Sequence, residues 1–91
     1  MKHELKTDSE VFQAVLSGRK TFEIRFDDRG FCVGDSLLLR ETTHTGEEMK
    51  RGKPLKYTGQ VKGMVVSHIL RGPIYGLKDG WVILSLHPPH Q

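Results

Sequence analysis

A chain of 91 residues makes one domain with a single modest core, which excludes a second catalytic lobe. Its 36% hydrophobic and 27% charged content fits a soluble globular protein, and no run approaches the roughly 18 apolar positions of a membrane helix. The formal net charge of +3 is unevenly spread: Met49 to Lys78 holds seven Lys or Arg and no acid, against seven basic and eleven acidic groups elsewhere.

Met1-Lys2-His3-Glu4 leads into no signal-peptide core, and a lone Cys32 forms no internal disulfide, so the cytoplasm is the expected compartment. His3 to Lys6 is expected as a short opening strand. Thr7-Asp8-Ser9-Glu10 has the form of a helix start, with Thr7 as cap and Glu10 three residues on. Val11, Phe12, Val15 and Leu16 recur at helical spacing as one apolar stripe, and Ser17-Gly18 supplies the stop. The pattern predicts a helix from Asp8 to Ser17.

That stop delivers Arg19 and Lys20 to the lip of the next strand. There Phe22, Ile24 and Phe26 alternate with Thr21, Glu23 and Arg25, which predicts a half-buried strand with one apolar and one charged face. The charged face is either solvated, with Glu23 and Arg25 a weak same-face pair, or a site. Asp27-Asp28-Arg29-Gly30 and Gly34-Asp35 are turns by composition, and Ser36 to Glu41, centred on Leu37-Leu38-Leu39, suits a strand covered on both sides.

Thr42 to Lys56 shows no periodicity over 15 residues and is expected as a loop, either a functional flap or a mobile segment. Gly59 to Leu70 is the longest strand expected, with a bulge or bend at Gly63, and Arg71-Gly72-Pro73 ends it. Leu77-Lys78-Asp79-Gly80 is a turn, Trp81 to Leu86 a final strand, and the residues from about His87 to Gln91 a frayed tail. No repeat or linker divides the chain, so residues 1–91 are one domain. One helix and about five strands specify an α+β fold, as a small curved sheet closing on itself or as an open sheet.

The basic segment, with Tyr57 and Tyr75 as candidate stacking rings, suits a polyanion such as RNA or DNA, or is a solvated face. His3, His44, His68, His87 and His90 are scattered without zinc spacing, so no metal or cofactor is expected; His68 reads as a core or rim residue and Cys32 as a small packed side chain. Lys20, Glu23 and Arg25 remain as the constellation with a mechanism. A lysine and a carboxylate in a partly dry cleft tune one another as base and acid; alternatively Lys20 and Arg25 contact phosphate or a base edge while Glu23 holds Arg25.

Gly18-x-Lys20-x-x-Glu23-x-Arg25 resembles the G-x-K-x-x-E-x-R signature of ASCH domains, members of the PUA-like superfamily of small β-barrels. His3-Glu4-Leu5-Lys6, Val33-Gly34-Asp35, Tyr75-Gly76-Leu77 and Gly80-Trp81-Val82-Ile83-Leu84-Ser85 extend the resemblance over nearly the whole chain, towards a compact branch found in bacteria and phages. It implies a PUA-like curved β-barrel of about five or six strands with one main N-terminal helix. It also implies a nucleic-acid-binding module, RNA foremost, whose cleft is built from Lys20, Glu23 and Arg25, with Arg29 at its edge and Lys6 and Tyr75 as further contacts. For these last three the competing roles are a solvated Lys6, an Arg29 satisfying a turn with Asp28, and a Tyr75 packing the barrel end.

Some ASCH-family members are amidohydrolases, and on that reading Lys20 and Glu23 are the catalytic residues. This chain departs from their pattern: the position of the threonine nucleophile is Glu23, Thr21 is offset by two, and no acid lies between Tyr57 and Asp79 to match the distant glutamate. A small enzyme on RNA or a modified nucleoside, ribonuclease-like included, stays open beside the binding module, and a protein-interaction accessory factor is the third reading. The expected partner is RNA or another nucleic acid, with no membrane and a monomeric chain.

Overall fold

The computed structural model describes residues 1–89. The elements run β1 (Lys2–Asp8), α1 (Ser9–Leu16), β2 (Phe22–Phe26), β3 (Ser36–Thr42), α2 (Gly46–Lys50), β4 (Tyr57–Arg71) and β5 (Trp81–His87). The five strands form one mixed sheet in the order β1-β3-β4-β5-β2, with β1 parallel to β3 and the other pairs antiparallel. This sheet curls into a half-barrel, consistent with the curved architecture expected. Its two edge strands, β1 and β2, approach each other and are joined by side chains: Arg25 Nη2 donates to the Lys6 carbonyl and Arg29 Nη1 to the Glu4 carbonyl at 2.6 Å.

Alternation along the strands sends one set of side chains inward. Leu5, Leu37, Leu39, Met64, Val66, Val82, Leu84 and Leu86 meet Phe12 and Val15 of α1 and Phe31 in one buried core. Helix α1 is shorter than its pattern predicts, and Thr7 is not its cap. Thr7 is a buried strand residue donating to the Leu5 carbonyl, and the N-cap Asp8 makes no side-chain cap bond, since its carboxylate accepts from the Gly46 N–H at 2.9 Å instead. At the other end Gly18 takes φ of +82°, the left-handed stop expected of it.

Residues 42–56 are not structureless. Thr45 and Glu48 form a reciprocal capping box, Glu48 N–H to Thr45 Oγ1 at 3.0 Å and Thr45 N–H to Glu48 Oε1 at 2.9 Å, which starts α2. Gly63 stays in regular register opposite Leu38. The irregularities of β4 fall at residues 58–60, facing the step from Arg40 to Thr42, and at Ser67, facing the step from Ser85 to Leu86. They supply the local twist that curls a sheet. Of the expected tail, His87 belongs to β5, opposite Val65, Pro88 and Pro89 are exposed and outside the strand, and His90 and Gln91 lie outside the described residues. Cys32 is exposed rather than packed, and His68 is an exposed strand residue.

Two buried carboxylates tie these elements together. Glu41 accepts from Gln13 Nε2 (3.0 Å), Ser9 Oγ (2.7 Å) and Thr58 Oγ1 (2.7 Å), which hold it below the usual carboxylate range despite burial and fasten α1 to β3 and β4. Asp35 accepts from the His3 ring (2.9 Å), the Cys32 N–H (2.9 Å) and the Met1 amine (3.0 Å); the His3 bond foremost brings it down to about 2. His3, which the sequence leaves among scattered histidines, is thus buried between Asp35 and the edge of the Phe31 ring, 4.8 Å between centroids. No helix among the described residues is long and apolar enough to cross a membrane.

Candidate functional site

The alternation in β2 is present, but its polarity is the reverse of the usual one. Glu23 is buried at 4% exposure, while Phe22, Ile24 and Phe26 are 44%, 48% and 54% exposed. Pairing with β5 is the cause. Glu23 lies opposite Leu84 and Arg25 opposite Val82, both core residues, so the charged face of β2 continues the inner surface of the sheet. Phe26 lies opposite Trp81 on the outer surface, their rings edge to face at 6.2 Å.

A buried carboxylate has to be paired, and Glu23 is paired twice: Oε1 accepts from Lys20 Nζ at 3.0 Å and Oε2 from Arg25 Nε at 2.9 Å. Lys20 is placed for this by the Gly18 stop. Its ammonium also donates to the Phe22 carbonyl and sits 4.5 Å from the centroid of the Phe22 ring. The three head groups therefore meet as the spacing of the motif suggests, Glu23 as the hub and the two cations as its arms.

They meet in a cleft. A hollow of about 540 Å³ lies along the seam between β1 and β2, lined by Lys6, Lys20, Glu23, Arg25 and Arg29 among others. Of the six residues singled out from the sequence, five line it. Arg29 reaches across to Glu4 and also faces Asp28 at 3.7 Å, so it serves both the cleft edge and its own turn. Tyr75 is elsewhere: it is 90% exposed on the turn before β5, at φ of +48°, and neither lines the cleft nor packs the barrel end.

Several cleft residues escaped the sequence reading. Lys50, at the end of α2, and the Phe26–Trp81 pair line the same hollow. The cations of the lining are Lys6, Lys20, Arg25, Arg29 and Lys50, against Asp8, Glu23 and Asp28. Asp8 is engaged by Gly46, and Glu23 by its two partners. Among the described residues Lys6 and Lys50 have no ion-pair or hydrogen-bond partner for their ammonium groups, so the cleft presents uncompensated positive charge. The basic segment from Met49 to Lys78 does not act as one patch. Arg51 pairs with Glu47 (2.8 Å), Arg71 with Asp27 (2.9 Å), and the Tyr57 ring is covered by the Arg40 guanidinium at 3.6 Å. Among the described residues no cluster of three or more His, Cys, Asp or Glu side chains is arranged to hold a metal ion.

A protein of Escherichia phage P2, described as an uncharacterized 12.9 kDa protein in the GpA 3′ region, is 44% identical to this chain over 39 residues. The matched segment is 43% of this chain and 36% of that protein, so the match spans about a third of the relative's length. A family model covers far more, residues 2–86, from the start of β1 to the last but one residue of β5. The chain therefore belongs to the family described as a domain of unknown function, DUF3850.

Proposed function

We propose that this chain is an ASCH-like module of PUA-like architecture that binds nucleic acid, RNA foremost, in the cleft between β1 and β2, and works in the cytoplasm. The observation that carries the reading is the cleft's charge: five cations line it, two of them without partners among the described residues, around a buried Glu23 that fixes Lys20 and Arg25 in place. Fixed cations bordering a concave surface suit a phosphate backbone, because binding releases the counterions that both surfaces hold when free. Glu23 also supports the binding reading over hydrolysis. It is committed to two cations, and the one hydroxyl that the described residues bring to the lining, that of Thr7, donates to the Leu5 carbonyl.

The free lysines give a test that spares the fold. Affinity for a short single-stranded RNA, measured over a salt series, should fall linearly in log–log form with a slope of about −0.7 per phosphate neutralised. Lys6→Ala and Lys50→Ala should each weaken binding several-fold and flatten that slope by about one contact. A flat salt response in the wild type, or variants that bind as tightly as it does, would remove the proposal.

A further inference from the structure

Phe22, Ile24 and Phe26, with Trp81 across from Phe26, form an apolar row on the outer surface of the last strand of the sheet. Each of its four side chains is left more than a third exposed, the Trp81 ring at 37%. The row is not remote from the cleft. Ile24, Phe26 and Trp81 line the cationic hollow, and Ile24 and Trp81 also line a second hollow of about 240 Å³ that ends at Gly76, Leu77 and Lys78. The two hollows thus share a wall, Ile24 and Trp81, and make a groove with Lys6, Lys20 and Lys50 on one side of that wall and Lys78 on the other.

We propose that this groove selects single-stranded nucleic acid: the strand's phosphates lie along Lys6, Lys20 and Lys50, and its bases turn out onto Phe26, Trp81 and Ile24. The inference rests on the nucleic-acid reading above and adds the class of ligand. Its warrant is the juxtaposition of the Lys6 and Lys50 ammonium groups, without partners among the described residues, with exposed rings along this groove, since a polynucleotide single strand offers anionic charge and π-faces at the same spacing scale. Successive same-face residues of β2 stand about 7 Å apart, so Ile24 and Phe26 offer successive contacts along the strand rather than one shared contact. A duplex keeps its base faces stacked inside and presents phosphates, sugars and base edges, so its bases cannot stack on the apolar row.

Trp81 is the one tryptophan of the chain, so its fluorescence reports on the row directly. Titrating the full chain with a short mixed-sequence single strand, as RNA and as DNA, should change that fluorescence in step with binding. A ribose-phosphate strand of equal length without bases should bind about tenfold or more weakly, and a duplex likewise. Phe26→Leu, at a side chain already more than half exposed, and Trp81→Leu should each weaken the base-bearing strand about tenfold while leaving the baseless strand unchanged. Salt-dependent binding that is equal for baseless, duplex and single-stranded ligands, or that leaves Trp81 unperturbed, overturns this inference and spares the nucleic-acid reading. Binding of none of these ligands by the wild type overturns both.

Discussion

Glu23→Ala should lower the stability of the chain by about 2 kcal/mol, read as a shift of the urea midpoint at unchanged slope. Removing the acid member of a fully buried ion pair costs about 3–5 kcal/mol, because the remaining charge stays desolvated without a partner. Here the stranded side chains are partly open, Lys20 at 17% and Arg25 at 26%, and solvent screens part of that cost. Two cations are left facing one another, however, and Arg25 loses the anchor that steers its other nitrogen to the Lys6 carbonyl across the seam. Glu23→Gln should cost less, since an amide oxygen still accepts from one cation while its NH2 faces the other. The difference between wild type and Glu23→Ala should shrink in high salt. An Ala variant as stable as the wild type would mean that the carboxylate does not organise the seam.

Asp35→Ala should cost more, about 3 kcal/mol near neutral pH, because three donors lose their acceptor together: the buried His3 ring, the part-buried Cys32 N–H and the Met1 amine. The effect has a pH signature. Asp35 is lowered from 3.8 to about 2, with the His3 bond as the first cause, so the folded state holds the carboxylate ionised more strongly than the unfolded state does. The stability that this shift contributes is complete above about pH 4 and disappears as pH falls through about 2. Urea titrations at several pH values should therefore show wild type and Asp35→Asn converging over that window. A constant gap across it would show that the ionised carboxylate contributes nothing of its own.

Much of the fold can be read from local pattern. The run Leu37-Leu38-Leu39, the alternation of Val82, Leu84 and Leu86, and the stripe of Val11, Phe12, Val15 and Leu16 all mark their elements, but the run buries Leu37 and Leu39 with Leu38 half-buried, and the stripe buries Phe12 and Val15 while Leu16 is left exposed. Lys20, Glu23 and Arg25 also come together, Glu23 and Arg25 on one strand face and Lys20 delivered by the Gly18 stop, where the spacing left a solvated face equally open. The side of the sheet on which they meet is not in that pattern. Alternation has a period but no sign, and the sign for β2 comes from its register with β5, a partner some sixty residues away in the chain. Long-range pairing also hides Lys50 and Trp81, which reach the cleft only once the sheet has curled. The helix α2 was within reach: Thr45-x-x-Glu48 is a capping signature, but a five-residue helix is too short to show periodicity. Tyr75, taken from motif position, stands on a turn whose place is set by the strands on either side rather than by its neighbours in sequence.

The whole account turns on one surface, the inward charged face of β2 with the seam beside it, as the place where a nucleic acid sits. Titrating the isotope-labelled chain with a short single-stranded RNA and following each backbone amide by NMR tests this residue by residue. The account predicts that the amides of Lys6, Lys20, Glu23, Arg25, Lys50 and Trp81 shift together along one saturable curve, while those of Val65 and Val66 on the opposite side of the sheet stay still. Shifts confined to other faces of the molecule, or none at ligand concentrations that saturate ordinary RNA-binding modules, would contradict it.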